Sequence, residues 1–337
     1  MLSRRDRVAK RAGAGTGSGD DDLDDLDLRG SASPAGVGAD HRRASVAPKP
    51  PTAPKKGPRG PQRAHGGSRG AALPRPCSRL RQALPAQVRY WLRTVHSHRG
   101  LVARGRFNLG YCVICERRTM FVWRERYLRA HYRCVRCWSL PRWRAVIHAL
   151  NLRYPGWRDL SIFESSPGGA GSEKLKGECA RYVPSHFWPT VDRGTVFQGI
   201  RCEDLTQLTF PDESFDLVVT QDVFEHVLEP GRAFSEVARI LRPSGGHVFT
   251  VPFFRGRKTF VRAEMTPAGL HHLVPPIYHG SPISQEGTLV VTEWGDDLVD
   301  FVRDHSHLET DVLAIHDRRL GLDGQFLDVF VSRRPAR

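Results

Sequence analysis

The chain has 337 residues, 39% of them hydrophobic, with 51 Lys and Arg against 36 Asp and Glu. That is enough apolar material for one large domain or two modest ones, which excludes a wholly disordered chain or a small disulfide-held scaffold. No apolar run reaches the length of about 18 residues that a membrane-spanning helix needs.

Residues 1–75 are rich in Gly, Pro, Ala and charge and nearly devoid of aromatic or branched apolar residues. This composition cannot bury enough surface to offset chain entropy, so the segment reads as a disordered, basic, low-complexity leader. Its first residues, MLSRRDRVAK, are not followed by the apolar stretch of a secretory signal, and the expected location is cytoplasmic. Charge divides along the chain. Residues 1–150 hold 31 Lys and Arg against 10 Asp and Glu, whereas residues 151–337 hold 20 against 26, a balance of −6. A nucleic-acid partner is therefore open to the basic N-terminal region but not favoured for the C-terminal half.

Residues 76–150 read as a helical segment followed by a small metal-binding ribbon. Cys112, Cys115, Cys134 and Cys137 form two Cys-x-x-Cys knuckles with 18 residues between them. Two sulfurs on each of two tight turns, with a short hairpin returning the chain, suit a tetrahedral thiolate site for Zn2+. A closed four-sulfur site leaves no open coordination position, so the expected role is structural. Arg117, Arg118, Arg124, Arg126, Arg129, Arg133 and Arg136 interleave with Phe121, Trp123, Tyr127 and Tyr132. That pattern serves either a nucleic-acid surface or a solvated face over a minimal core. Cys77, Cys179 and Cys202 stand alone and read as small buried hydrophobes.

Residues 151–337 alternate short apolar runs with helical patterns, the signature of a parallel sheet with crossover helices. LSIFES is the first strand, SEKLKGECA a helix, and ARYVPS, GIRCED, SFDLVVTQD and, after the next helix, GHVFTVPFF further strands. In GRAFSEVARILR, residues Ala233, Phe234, Val237, Ile240 and Leu241 recur at helical spacing, and Pro243 with Gly245 is expected to end the helix. GDDLVDFVRDH reads as the last helix, and TDVLAIHD and FLDVFVSRR as a terminal antiparallel pair.

The segment FPDESFDLVVTQDVFEHVLEPGRAFSEVARILRPSGGHVFTVPF, Phe210–Phe253, resembles class I S-adenosylmethionine-dependent methyltransferases of the small-molecule, type 11-like group. The resemblance covers roughly residues 160–331. It implies a Rossmann-like seven-stranded α/β sheet with its final strand inserted antiparallel, and S-adenosylmethionine as cofactor. In this resemblance the first glycine loop falls on ESSPGGAG, where Glu164 matches the acid and Gly168 a central glycine, while Ser166 and Ala170 stand where glycines are usual. Ser185 stands where an acid usually holds the ribose. Asp204 matches the position that meets the adenine amino group, with Leu205 beside the ring, and Gln221, Asp222 and Glu225 to Val227 line the edge of the fourth strand.

The resulting expectation is an enzyme that transfers a methyl group to an oxygen or nitrogen of a small, hydroxylated metabolite. His226 and His279 are the candidate bases, with His271 and His272 behind them, and the segment from Arg255 to Glu293 is the expected acceptor cover. Two other readings stay open. One is an RNA methyltransferase that uses the ribbon to hold RNA, and the other a non-catalytic binding protein on a relic methyltransferase fold.

Overall fold

The computed structural model describes Leu92, residues 95–280 and residues 286–336; the leader, Cys77 and residues 281–285 of the acceptor cover lie outside these. A short helix, α1 (Arg99–Ala103), leads into β1 (Phe107–Cys112) and β2 (Arg117–Val122), which pair antiparallel from Phe107–Val122 to Cys112–Arg117. The one-turn helix α2 (Leu128–His131) then returns the chain through β3 (Arg133–Cys134) onto β2, with Cys134 opposite Phe121. The expected hairpin between the knuckles is this three-stranded ribbon.

Helix α3 (Pro141–Arg153) joins the ribbon to the sheet. It opens on a proline, whose fixed φ suits a first helical turn, and it buries Ala145, Val146, Ile147, Ala149 and Leu150. These residues belong to one apolar core that also contains Phe121 and Tyr132 of the ribbon and Ile162, Val219, Val248 and Val331 of the sheet. The ribbon and the sheet are therefore continuous in packing, although the sequence reads as separate segments that meet at residue 150.

The central sheet comprises β4 (Ser161–Ser165), β5 (Arg181–His186), β6 (Val196–Phe197), β7 (Ile200–Cys202), β8 (Phe215–Gln221), β9 (Leu241–Thr250), β16 (Glu309–Leu313) and β17 (Val329–Arg333). Their spatial order is β16-β17-β9-β8-β4-β5-β7-β6. Strands β7, β5, β4, β8 and β9 run parallel, and β17 inserts antiparallel between β9 and β16. The sheet thus has eight strands rather than seven. The extra strand arises because Val196–Phe197 folds back antiparallel on β7 through Gln198 and Gly199, both at positive φ.

Helices α4 (Gly169–Glu178), α5 (Pro230–Ile240) and α6 (Leu298–Ser306) complete the layers. In α5 the apolar stripe Ala233, Phe234, Val237 and Ile240 is buried. The helix ends at Ile240, before Pro243, because Leu241 already has extended backbone and pairs with Phe215. Pro243 and Gly245 instead lie within an irregularity of β9, where the register jumps from Leu241 opposite Phe215 to Gly246 opposite Leu217. Between α5 and α6 the chain forms small antiparallel pairs: β11 (Ala263–Thr266) with β12 (Gly269–His272), β13 (Tyr278–His279) with β14 (Thr288–Leu289), and, enclosing both in sequence, β10 (Phe260–Val261) with β15 (Thr292–Glu293). Among the described residues no helix is long and apolar enough to cross a membrane.

Candidate functional site

The carboxyl ends of β4, β5, β7 and β8 fall along one edge because those strands run parallel, and open α/β sheets bind ligands at that edge. At the end of β4, Glu164 is fully buried, and both of its carboxylate oxygens accept bonds from protein donors. Oε1 accepts from Ser172 Oγ (2.7 Å) and Gln221 Nε2 (3.0 Å), and Oε2 from Tyr182 Oη (2.5 Å). Burial raises its pKa despite those bonds. Ser172 Oγ in turn accepts from the backbone N–H of Gly168 at 2.8 Å. Glu164 therefore holds the loop in shape, reaching Gly168 through Ser172.

Within this loop Ser166 lies at φ +55°, in the left-handed region that favours glycine, and donates its backbone N–H to Ser185 O at 2.8 Å. Gly169 lies at φ +72°, where an added Cβ would overlap the indole of Trp143 on α3. Overpacking together with left-handed strain should make Gly169→Ala cost about 2–3 kcal/mol. Thermal unfolding followed by circular dichroism checks this, and a melting curve superimposable on the wild type would contradict it.

Ser185, at the end of β5, is fully buried and its Oγ has no hydrogen-bond partner among the described residues; His186 Nδ1 and Gln221 Oε1 are buried and, among the same residues, unpartnered as well. Asp204 follows β7 and closes a turn, its Oδ1 accepting from Thr206 N and Thr206 Oγ1, each at 2.8 Å. Leu205 is only 6% exposed and packs with Phe163, Leu208 and Phe215 in the core beneath the sheet.

At the end of β8, Asp222 sits at φ +54° and meets two arginines from the N-terminal segment: Arg129 Nη2 at 2.6 Å and Arg142 Nε at 3.4 Å. Burial pushes the Asp222 carboxyl up, but the two guanidiniums outweigh it and hold the group below the usual carboxylate range. The next turn, a 3-10 turn at Phe224–His226, carries Glu225, which is 1% exposed with both carboxylate oxygens lacking a hydrogen-bond partner among the described residues. Burial, reinforced by Asp222, raises its pKa well above the ordinary value.

The hairpin β13–β14 brings His279 beside His226, with ring centroids 5.2 Å apart and planes nearly perpendicular. Burial lowers the pKa of both, that of His226 to about 4, so each is a neutral imidazole near pH 7. The structure thus unites the two candidate bases. His271 and His272 are not with them, since they lie exposed on the β11–β12 hairpin, where His271 faces Glu264.

In the ribbon, Cys112 Sγ and Cys137 Sγ lie 3.7 Å apart and Cys115 Sγ and Cys134 Sγ 4.0 Å apart, all four within 4.8 Å of one another. Of the seven ribbon arginines, Arg129 is buried and donates to Asp222 and to Phe326 O. Arg117, Arg118, Arg124 and Arg126 are exposed, while Phe121 and Tyr132 are fully buried.

Residues 168–249 match the family of the methyltransferase domain. A Mycolicibacterium smegmatis protein named "Probable S-adenosylmethionine-dependent methyltransferase" is 37% identical over 73 residues, 22% of this chain and 27% of that protein. A phosphatidylethanolamine N-methyltransferase of Cereibacter sphaeroides is 38% identical over 65 residues, 19% of this chain and 32% of that protein. The matches thus span about a third or less of these curated relatives. Among solved structures, Burkholderia thailandensis 1,6-didemethyltoxoflavin-N1-methyltransferase, with bound 1,6-didemethyltoxoflavin and S-adenosylhomocysteine, is similar at 12% identity and a TM-score of 0.37. The similarity covers 58% of this chain and 78% of that one.

Several residues that shape this sheet edge gave no linear signal that they belong to it. Arg129, Arg142 and Trp143 lie outside the motif segment and reach it only because α3 lays the ribbon against the sheet edge. Tyr182 reaches Glu164 because β5 pairs with β4.

Proposed function

We propose that the protein transfers a methyl group from S-adenosylmethionine to an oxygen or nitrogen of a small, hydroxylated metabolite. The observation that carries this reading is the row of unpartnered, buried polar atoms at the carboxyl ends of β5 and β8, inside a segment that matches a methyltransferase domain. Buried polar atoms are normally satisfied, and a bound cofactor would supply the missing partners. Ser185 Oγ suits the ribose hydroxyls, Asp204 and Leu205 the adenine, Gln221 the edge between β4 and β8, and the loop Glu164, Ser166 and Gly168 the close backbone approach. When bound, the sulfonium supplies an activated methyl group. The chain then has to align an acceptor, exclude water and take up a proton where the acceptor is a hydroxyl. His226 and His279, both neutral, can serve the last role.

The acidic balance of residues 151–337 favours an uncharged or cationic acceptor over a phosphate backbone. Burial of Phe121 and Tyr132 removes two aromatics that an RNA-stacking ribbon would need. The ribbon is assigned to one structural zinc. A thiolate–zinc distance of about 2.3 Å sets tetrahedral sulfurs about 3.8 Å apart, and Cys112–Cys137 and Cys115–Cys134 here are at 3.7 and 4.0 Å. Four thiols kept reduced for a metal suit a reducing compartment such as the cytoplasm.

Calorimetric titration of the full chain with S-adenosylmethionine and with S-adenosylhomocysteine tests the reading. Saturable binding is expected for both, and Asp204→Ala should weaken it by about 1–3 kcal/mol, the cost of losing a hydrogen bond to a charged group. Asp204→Asn, which can still accept from Thr206, serves as the fold control. Absence of binding by the wild type would leave the relic-fold reading standing.

A further inference from the structure

We propose that Glu225, His226 and His279 hold one divalent transition-metal cation whose remaining coordination positions face the methyl acceptor. Only the last clause rests on the methyl-transfer reading. The three residues converge, one ligand atom from each, within 4.8 Å. His226 Nε2 is 3.8 Å and His279 Nδ1 4.0 Å from Glu225 Oε1. Two atoms each about 2.1 Å from a common ion lie at most about 4.2 Å apart, so both separations fall within reach of one ion.

Three further observations make this a built site rather than a chance meeting. The Glu225 carboxylate is 1% exposed and neither oxygen has a hydrogen-bond partner among the described residues. A buried carboxylate without a donor or counter-ion is strongly disfavoured, and a cation at the convergence point removes that cost. The neighbouring acid offers no relief, because Asp222 is already committed to Arg129, Arg142 and Thr250. His226 also has the orientation that ligating histidines adopt. Its Nδ1 lies 2.7 Å from the backbone oxygen of Leu289, so the N–H sits there and the Nε2 lone pair is free.

The scaffold holds all three in place. Val291 N–H donates to Glu225 O at 2.7 Å, and Leu289, which receives the His226 N–H, pairs across the hairpin with Tyr278, next to His279. Two imidazoles and one carboxylate suit first-row divalent ions such as Co2+, Zn2+ or Mn2+ and leave open positions for substrate oxygens. An ion there would bind an acceptor hydroxyl at the edge where Gln221 and Ser185 present their unpartnered atoms. The acceptor class is accordingly one with a free, metal-reaching hydroxyl.

The test uses the full chain with its cysteine site zinc-loaded, dialysed free of exchangeable metal, and titrated calorimetrically with CoCl2 and separately with MnCl2. One saturable site per chain is expected. Glu225→Gln and His279→Ala should each weaken it by on the order of tenfold or more. His271→Ala, on the exposed β12, should leave it unchanged. The visible spectrum of the added Co2+ should lack the intense charge-transfer bands of thiolate ligation, which separates this site from the cysteines. Failure of both ions to bind saturably, or binding that survives both Glu225→Gln and His279→Ala, would overturn the proposal. The parallel titration with S-adenosylmethionine distinguishes the two readings, because either ligand can bind when the other does not.

Discussion

Replacing Cys134 with serine is expected to remove one zinc equivalent per chain and to melt the ribbon while leaving the central sheet folded. Cys134 is fully buried on β3, a strand of two residues, and its sulfur sits 4.0 Å from that of Cys115. The ribbon sheet, with strands of six, six and two residues, is too small to fold alone, and structural zinc sites of this size draw about 10–16 kcal/mol from the metal. Here the loss is smaller, because Phe121 and Tyr132 also pack into the core of the sheet. Amide exchange should therefore accelerate over residues 105–145 and far less over β4, β8 and β9. A second consequence reaches the site. Arg129 belongs to the same segment and anchors Asp222 at 2.6 Å, so a melted ribbon should release Asp222 and weaken ligand binding at the β8 edge. Elemental analysis decides the matter first. Purified, reduced wild-type protein without zinc, or Cys134→Ser protein retaining its full complement, would remove the idea.

The sequence carried the order of strands and helices because each reports locally. Apolar runs of strand length, the stripe on α5 and the paired Cys-x-x-Cys spacing are short-range patterns that survive without knowledge of the fold. What escaped depends on convergence. Val196–Phe197 became an eighth strand only because positive-φ Gln198 and Gly199 turn it back onto β7. Leu205 shares a buried apolar cluster with Phe163 and Phe215, a convergence that its place after β7 in the sequence does not show. Both histidine candidates were visible as residues, but their meeting with an unpartnered Glu225 depends on the β13–β14 pairing, 53 positions further along the chain from His226 to His279. Ser166 shows a related limit, since serine does not announce the left-handed backbone that it adopts at φ +55°.

The second large effect is expected from Arg144→Met, at about 3–5 kcal/mol of destabilisation, the range for stripping one partner from a buried charged network. Arg144 is fully buried on α3 and none of its nitrogens meets a carboxylate among the described residues. Its donors go to backbone and hydroxyl oxygens: Nε and Nη2 to Gly321 O at 3.0 and 2.6 Å, Nη2 to Tyr132 O at 3.0 Å, and Nη1 to Ser139 Oγ at 3.0 Å and to Ser139 O. The guanidinium also lies 4.7 Å from the Phe121 ring centre. Methionine fills a similar volume but leaves those oxygens buried without donors. Burial lowers the affinity of Arg144 for its proton, and the groups that oppose this are Cys112, Cys134, Tyr132 and Cys137. Four thiolates around a divalent ion leave a net charge of about −2, so a zinc bound there, as proposed, would supply the counter-charge that no carboxylate provides among the described residues. The cation and the cluster should then be energetically coupled. Denaturant unfolding of wild type and Arg144→Met, each with zinc and after chelation, forms a double cycle in which the two losses are not additive. Additive losses would show that Arg144 acts only through its backbone oxygens, and an unchanged midpoint for Arg144→Met would contradict the packing assigned to it.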